Sequence, residues 1–171
     1  MRLLIAFPIV IATVQAGYAE CSTGQDTFLS CTFSNGRKAV DVCVEGDNLT
    51  YRFGRVGHPP DLALSVTVID ADYLPWPGVG SAIWETVTFQ NQKTSYEVMG
   101  VIDRIFPEDE NEDIQVDVRG GIEVIESGET LARLDCDAGS VDFSFGGSIY
   151  DAKKAANQCW DFEEDRWEIC K

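Results

Sequence analysis

A hydrolytic triad needs a base that titrates near neutrality, and the chain holds a single histidine, His58. It sits in His58-Pro59-Pro60 with no Gly-x-Ser-x-Gly nucleophile motif beside it, so it reads as a surface-loop residue. Paired carboxylates could instead cleave a glycosidic bond. With 29 acidic residues some pair always has a suitable spacing, so that pattern selects little. Asp70, Asp72 and Glu85 flank an aromatic stretch and are the carboxylates to follow. Asp109, Asn111 and Asp113 alternate as calcium ligands do in an EF-hand loop. That motif needs Gly where Ile114 stands and Glu where Gly120 stands, so the run reads as an acidic, hydrated loop. Six cysteines with no Cys-x-x-Cys pair argue against a zinc site. The reading assigns no catalytic residue, no metal and no cofactor.

Binding chemistry has a clearer candidate. Asp70 to Trp84 gathers Tyr73, Trp76 and Trp84 around Pro75, Pro77, Gly78 and Gly80, with Ser81 at its end. Prolines limit the entropy lost when a loop is ordered, and Tyr and Trp are typical anchors of binding hot spots. The expected binding residues are therefore Tyr73, Trp76, Gly78, Gly80, Ser81 and Trp84. The competing expectation is that these aromatics fold back and plug one end of the fold, since large aromatics are buried on average.

Those residues must be positioned by strands. Val40, Val42 and Val44 recur at period two, as do Leu49, Tyr51 and Phe53, and Leu62, Leu64, Val66 and Val68. Asn35-Gly36 favours a tight hairpin between the first two strands, and Gly46-Asp47 marks the next turn. Further strands are expected over 83–90, 94–102, 114–119, 122–126 and 131–136, with Gly120-Gly121 and Ser127-Gly128 as turns. The expected fold is all-β, an antiparallel β-sandwich or closed barrel of about eight or nine strands. One short helix is expected over Ile149 to Gln158, with Ser148 as its N-cap. Beyond it, Trp160, Phe162 and Trp167 are expected to dock onto the body as a tail.

Met1-Arg2 followed by an apolar run from Leu3 to Val14 and by Gly17-Tyr18-Ala19 has the pattern of a secretory signal peptide over residues 1–19. Cleavage before Glu20 leaves 152 of the 171 residues, expected to form a single β-domain over 20–171. No later apolar run is long enough to span a bilayer. The formal net charge is −16, and loss of Arg2 makes it −17. Nucleic acid is excluded as a partner because phosphate binding needs a basic footprint. A cationic protein partner fits, since opposite charge steers association.

In an exported chain six cysteines imply three disulfides, with fifteen possible pairings. Chain proximity favours Cys31–Cys43, Cys136–Cys159 and Cys21–Cys170. Cys43 lies off the Val40/Val42 face, so the first of these needs a bulge.

The run Cys31, Gly36, Lys38, Val42, Cys43, Gly46, Leu49, Tyr51, Phe53 and Gly54 resembles the opening of a diffuse group of secreted proteobacterial proteins. That resemblance implies a bacterial envelope location, periplasmic or secreted, and carries no site residue. In architecture alone the chain is similar to periplasmic lysozyme inhibitors, small disulfide-bearing β-proteins whose motifs are absent here. The expected function is non-enzymatic binding, with inhibition of a cationic cell-wall hydrolase as its specific form. The alternatives are a carboxylate-dependent enzyme acting on carbohydrate and a structural component of the envelope.

Overall fold

A computed structural model of the chain describes residues 21–22, 24–109 and 112–171. The leader expected over 1–19 and Asn111 of the acidic loop lie outside the described residues. Alternating apolar residues build two antiparallel sheets that face each other. The first contains β1 (Asp26–Phe33), β2 (Lys38–Glu45), β3 (Asn48–Arg55), β4 (Leu62–Thr67) and β10 (Asp142–Phe143), in the order β10-β1-β2-β3-β4. The second runs β5 (Asp72–Leu74), β6 (Ala82–Asn91), β7 (Thr94–Ile105), β8 (Gln115–Glu126) and β9 (Glu129–Asp135) in sequence order. Neither sheet closes on itself, so the fold is a sandwich and not a barrel. A helix, α1 (Ser148–Ala155), and a separate hairpin, β11 (Gln158–Asp161) with β12 (Arg166–Ile169), complete the chain.

The core lies between the sheets. Leu29, Val40, Val42, Leu49 and Tyr51 of the first meet Val87, Phe89, Val98 and Ile122 of the second in one apolar cluster. Tyr51 packs its ring on Phe89 and Tyr96, with centroids 5.3 and 5.8 Å apart. Such interlocked aromatic pairs add about 0.5–1.5 kcal/mol each beyond the area they bury.

The hairpin turns follow the glycine chemistry. Ser34, Asn35 and Gly36 all adopt positive φ, as do Ser127 and Gly128. Asp137 holds the first of these turns from outside. Its carboxylate accepts the backbone N–H groups of Asn35 (3.0 Å) and Gly36 (2.8 Å) and the Thr32 hydroxyl (3.0 Å). Those donors hold the Asp137 carboxyl below the usual carboxylate range.

Four expectations are corrected. The strands number twelve among the described residues, because β5, β10, β11 and β12 are only two to four residues long and carry too little alternation to read. Gly120-Gly121 is no turn: both lie inside β8, which is one continuous strand. A Cβ on Gly120 would come within 2.7 Å of the Leu29 side chain, and one on Gly121 within 2.7 Å of the Leu134 carbonyl. These glycines mark close approach, not chain reversal. The helix is capped by Gly147, with no side-chain cap from Ser148, and ends before Asn157, whose positive φ turns the chain out.

The disulfides are Cys21–Cys43, Cys31–Cys136 and Cys159–Cys170, so all three expected pairings are overturned. The reason is facial. Cys31 lies with Leu29 and Phe33 in the core, whereas Cys43 belongs to the opposite face of β2. A bulge does occur in β1, between Thr27 and Leu29, but it leaves Cys31 opposite Val40. Cys43 instead draws Cys21 across the outer face. At the other end of that face, Pro60 and Asp61 close over Gly54. As a result Ala39, Asp41 and Cys43 are buried as fully as the valines, and β2 is covered on both faces. Three disulfides fit an oxidising, extracytoplasmic compartment. No helix among the described residues is long and apolar enough to cross a membrane.

Candidate functional site

The aromatic stretch divides between core and surface. Tyr73, the middle residue of β5, points inward and is 2% exposed. Its ring meets Phe28 edge-on at 6.3 Å and stacks on Trp167 at 6.0 Å. Trp76 is half-buried: its Nε1 donates to the Val79 carbonyl (3.0 Å), and its ring meets Phe145 edge-on at 5.8 Å. Gly78 and Gly80 adopt φ of +84° and +93°, conformations that glycine reaches at no steric cost. Arg104 ties down the loop's end by donating to the carbonyls of Gly80 (2.7 Å) and Ser81 (3.0 Å). Its guanidinium also lies over Trp76 and Phe106, 5.7 and 6.0 Å from the ring centroids. Trp84 points to the outer face of β6, away from the core.

Beside β5 the loop and the C-terminal hairpin enclose a cleft of about 660 Å³. Pro75, Pro77 and Trp84 form one wall, and Trp160 and Trp167 the other. Trp160 and Trp167 are directly paired across β11 and β12, with ring centroids 5.5 Å apart. Trp167 is fixed by its own hydrogen bond, Nε1 donating to the Tyr73 carbonyl at 2.7 Å. That bond also satisfies a carbonyl of an edge strand. The hairpin is closed at its base by Cys159–Cys170 and by the Cys170 N–H donating to the Asn157 carbonyl (3.0 Å).

The floor is Lys153 of α1, 1% exposed. Its Nζ donates to the Ile69 carbonyl (2.9 Å) and to Gln158 Oε1 (3.4 Å), and lies 5.1 Å from the Trp167 ring centroid. Burial lowers the pKa of this ammonium, and Asp70 and Asp72 oppose that shift.

The carboxylates do not converge. Asp70 is a turn residue whose Oδ2 accepts from the Thr67 hydroxyl at 2.6 Å. Asp72 lies on the outer face of β5 and lines the cleft. Glu85, 2% exposed, lies on the inner face of β6, where its Oε2 accepts the Gly146 N–H at 3.3 Å. Asp72 and Glu85 thus face opposite sides of one sheet and cannot flank a common bond. His58 is exposed, in a loop folded against the first sheet. Among the described residues no group of His, Cys, Asp and Glu is placed to hold a metal ion.

Burial raises the pKa of Glu85, against the smaller opposing effects of Tyr73 and Gly146. A carboxyl whose pKa is raised by folding destabilises the fold once pH climbs above the unfolded value. Glu85→Gln is therefore expected to raise the melting temperature at neutral pH. The gain should vanish below the ordinary glutamate range, where both chains are uncharged at this position. Thermal melts across that interval check it, and a gain that persists in acid would contradict the assignment.

A second surface lies at one end of the second sheet. β7 and β8 are twelve residues long, whereas the longest strands above them have eight, so their ends overhang. At about 3.3 Å per residue the difference is roughly 13 Å. The overhang leaves Phe106 and Val116 exposed at 58 and 59%, with Ile105 and Ile114 at the same strand ends, and Val79 of the β5–β6 loop is 71% exposed. The acidic loop with Glu108, Asp109, Glu112 and Asp113 joins the same two strands.

No family model, curated protein or solved structure matches the chain. The site residues that sequence reasoning missed are Lys153, Trp160 and Trp167. The signal for the two tryptophans was their place inside the loop closed by Cys159 and Cys170, one residue after the first and three before the second.

Proposed function

We propose that this is a non-enzymatic binding protein of the bacterial envelope, periplasmic or secreted, whose partner is a cationic protein. The observation that carries this reading is the apolar overhang of β7 and β8, bordered by the acidic loop between them, in a chain of net charge −16. Contiguous exposed apolar surface rimmed by charge is a feature of protein-binding sites. Phe106 and Val79 supply apolar contact, and the carboxylates of Glu108, Glu112 and Asp113 steer an oppositely charged surface onto it. A cationic cell-wall hydrolase such as lysozyme has the required charge and shares the compartment.

The test uses immobilised protein and lysozyme as analyte. Association is expected to slow about tenfold between low and physiological salt, as the screening length shortens to about 8 Å. Phe106→Ser combined with Val116→Ser should speed dissociation about tenfold or more, with an unchanged melting temperature because both side chains are exposed. Absence of lysozyme binding, or binding that the double substitution leaves untouched, would overturn the reading.

A further inference from the structure

The cleft between β5 and the C-terminal hairpin has no part in the protein-binding reading, and its chemistry differs from that of the overhang. We infer that it is a site for a neutral oligosaccharide. Its volume of about 660 Å³ is that of a small-molecule site, for which about 300–1,000 Å³ is usual. Its walls are the indoles of Trp84, Trp160 and Trp167, flat and rigid faces matched to the C–H faces of pyranose rings. Of these three, Trp167 packs against the core cluster and is anchored to Tyr73. Trp84 and Trp160 have no such anchoring and present their surfaces to the cleft.

The polar lining distinguishes a sugar from other ligands. Lys153 and Arg166 are balanced by Asp72 and Asp165. The cleft is thus formally neutral in a chain of net charge −16, so it favours neither a cation nor an anion. Sugar hydroxyls both donate and accept, and a lining of carboxylates, a guanidinium and an amide offers partners for both. Lys153 acts here as a positioning residue: its bond to Gln158 Oε1 turns the donor end of that amide away from the lysine. The Cys159–Cys170 bridge holds one wall in place before the ligand arrives, which lowers the entropy cost of binding.

The oxidised protein is titrated with cellotriose, maltotriose and chitotriose, following tryptophan fluorescence and heat, with trigalacturonic acid as the charged control. Saturable millimolar or tighter binding of at least one neutral trisaccharide is expected, and weaker binding of the acid. Trp160→Ala should weaken that binding about tenfold or more, whereas Leu131→Ser, exposed on β9 and outside the cleft, should leave it unchanged. If Trp160→Ala proves unstable, Arg166→Ala, an exposed position, replaces it and should weaken binding severalfold. Failure of all three neutral sugars to saturate, tighter binding of the acid, or cleft substitutions without effect would each overturn the assignment. Lysozyme binding by the cleft variants should be unchanged, which separates this site from the overhang.

Discussion

Replacing Cys31 and Cys136 together by alanine is expected to leave the chain largely unfolded at about 37 °C. The bridge joins positions 105 residues apart. In the chain-entropy model a loop of that size contributes about 4.7 kcal/mol. That is comparable with the whole stability of a small domain, about 5–15 kcal/mol. The bridge also joins the sheets mechanically, since Cys31 lies in β1 and Cys136 follows the last strand of the second sheet. Asp137, next along the chain, holds the β1–β2 turn through three hydrogen bonds, and its placement depends on the same anchor. The matched control removes Cys159 and Cys170, which are 11 residues apart. It should cost at most about 3 kcal/mol and act on the hairpin alone. Denaturant midpoints of the two oxidised double variants decide the matter. If the long bridge proves no more stabilising than the short one, its role in joining the sheets is wrong.

Gly100→Ala should be the most damaging single methyl that can be added to the second sheet. A Cβ at this position would overlap three carbons of the Phe143 ring, far inside van der Waals contact. Phe143 has little room to yield. It packs edge-on against Phe28 with centroids 5.5 Å apart, and its strand β10 is two residues long and paired only with β1. Displacing the ring removes that aromatic contact and strips β10 from the sheet edge. Overpacking of this kind costs about 1–3 kcal/mol. For a chain of this size the melting temperature should fall by roughly 3–10 °C. Gly78→Ala is the comparison, because nothing lies within 4 Å of its added Cβ and only the positive φ opposes it. Gly100 has no positive φ to strain, so a loss there no larger than that at Gly78 would show that packing against Phe143 is not tight.

The long strands were legible because one face of each is buried and alternation reports that directly. Val40, Val42 and Val44, and likewise Leu49 and Tyr51, lie where their period placed them. What alternation could not report is the covering of β2 on its second face, because Ala39, Asp41 and Cys43 are not a hydrophobic set. The glycines of β8 misled for a related reason: a Gly-Gly pair signals a turn or a close approach, and only the side chain packed against it decides which. Cysteine pairing failed because distance along the chain says nothing about which face of a strand a thiol occupies. At the cleft, the aromatic-proline wall was visible as a local concentration of residues. The facing wall was legible only as aromatics docking onto the body, since Trp160 and Trp167 become neighbours only through the β11–β12 register.

The order of the cysteines along the chain bears on how the molecule can be made. Counted from the N-terminus, the first pairs with the third, the second with the fourth and the fifth with the sixth. An oxidase acting on thiols as they emerge would join Cys21 to Cys31, a link the finished fold does not contain. Cys31 cannot meet its partner until β9 has been made and paired with β8. Once Cys21 and Cys31 are joined, maturation of the first four cysteines needs thiol–disulfide exchange, a step of seconds to hours that an isomerase shortens. The last two close a hairpin that needs no other part of the chain. A cell deprived of isomerase would be expected to accumulate molecules with a correct C-terminal bridge and a scrambled N-terminal sheet.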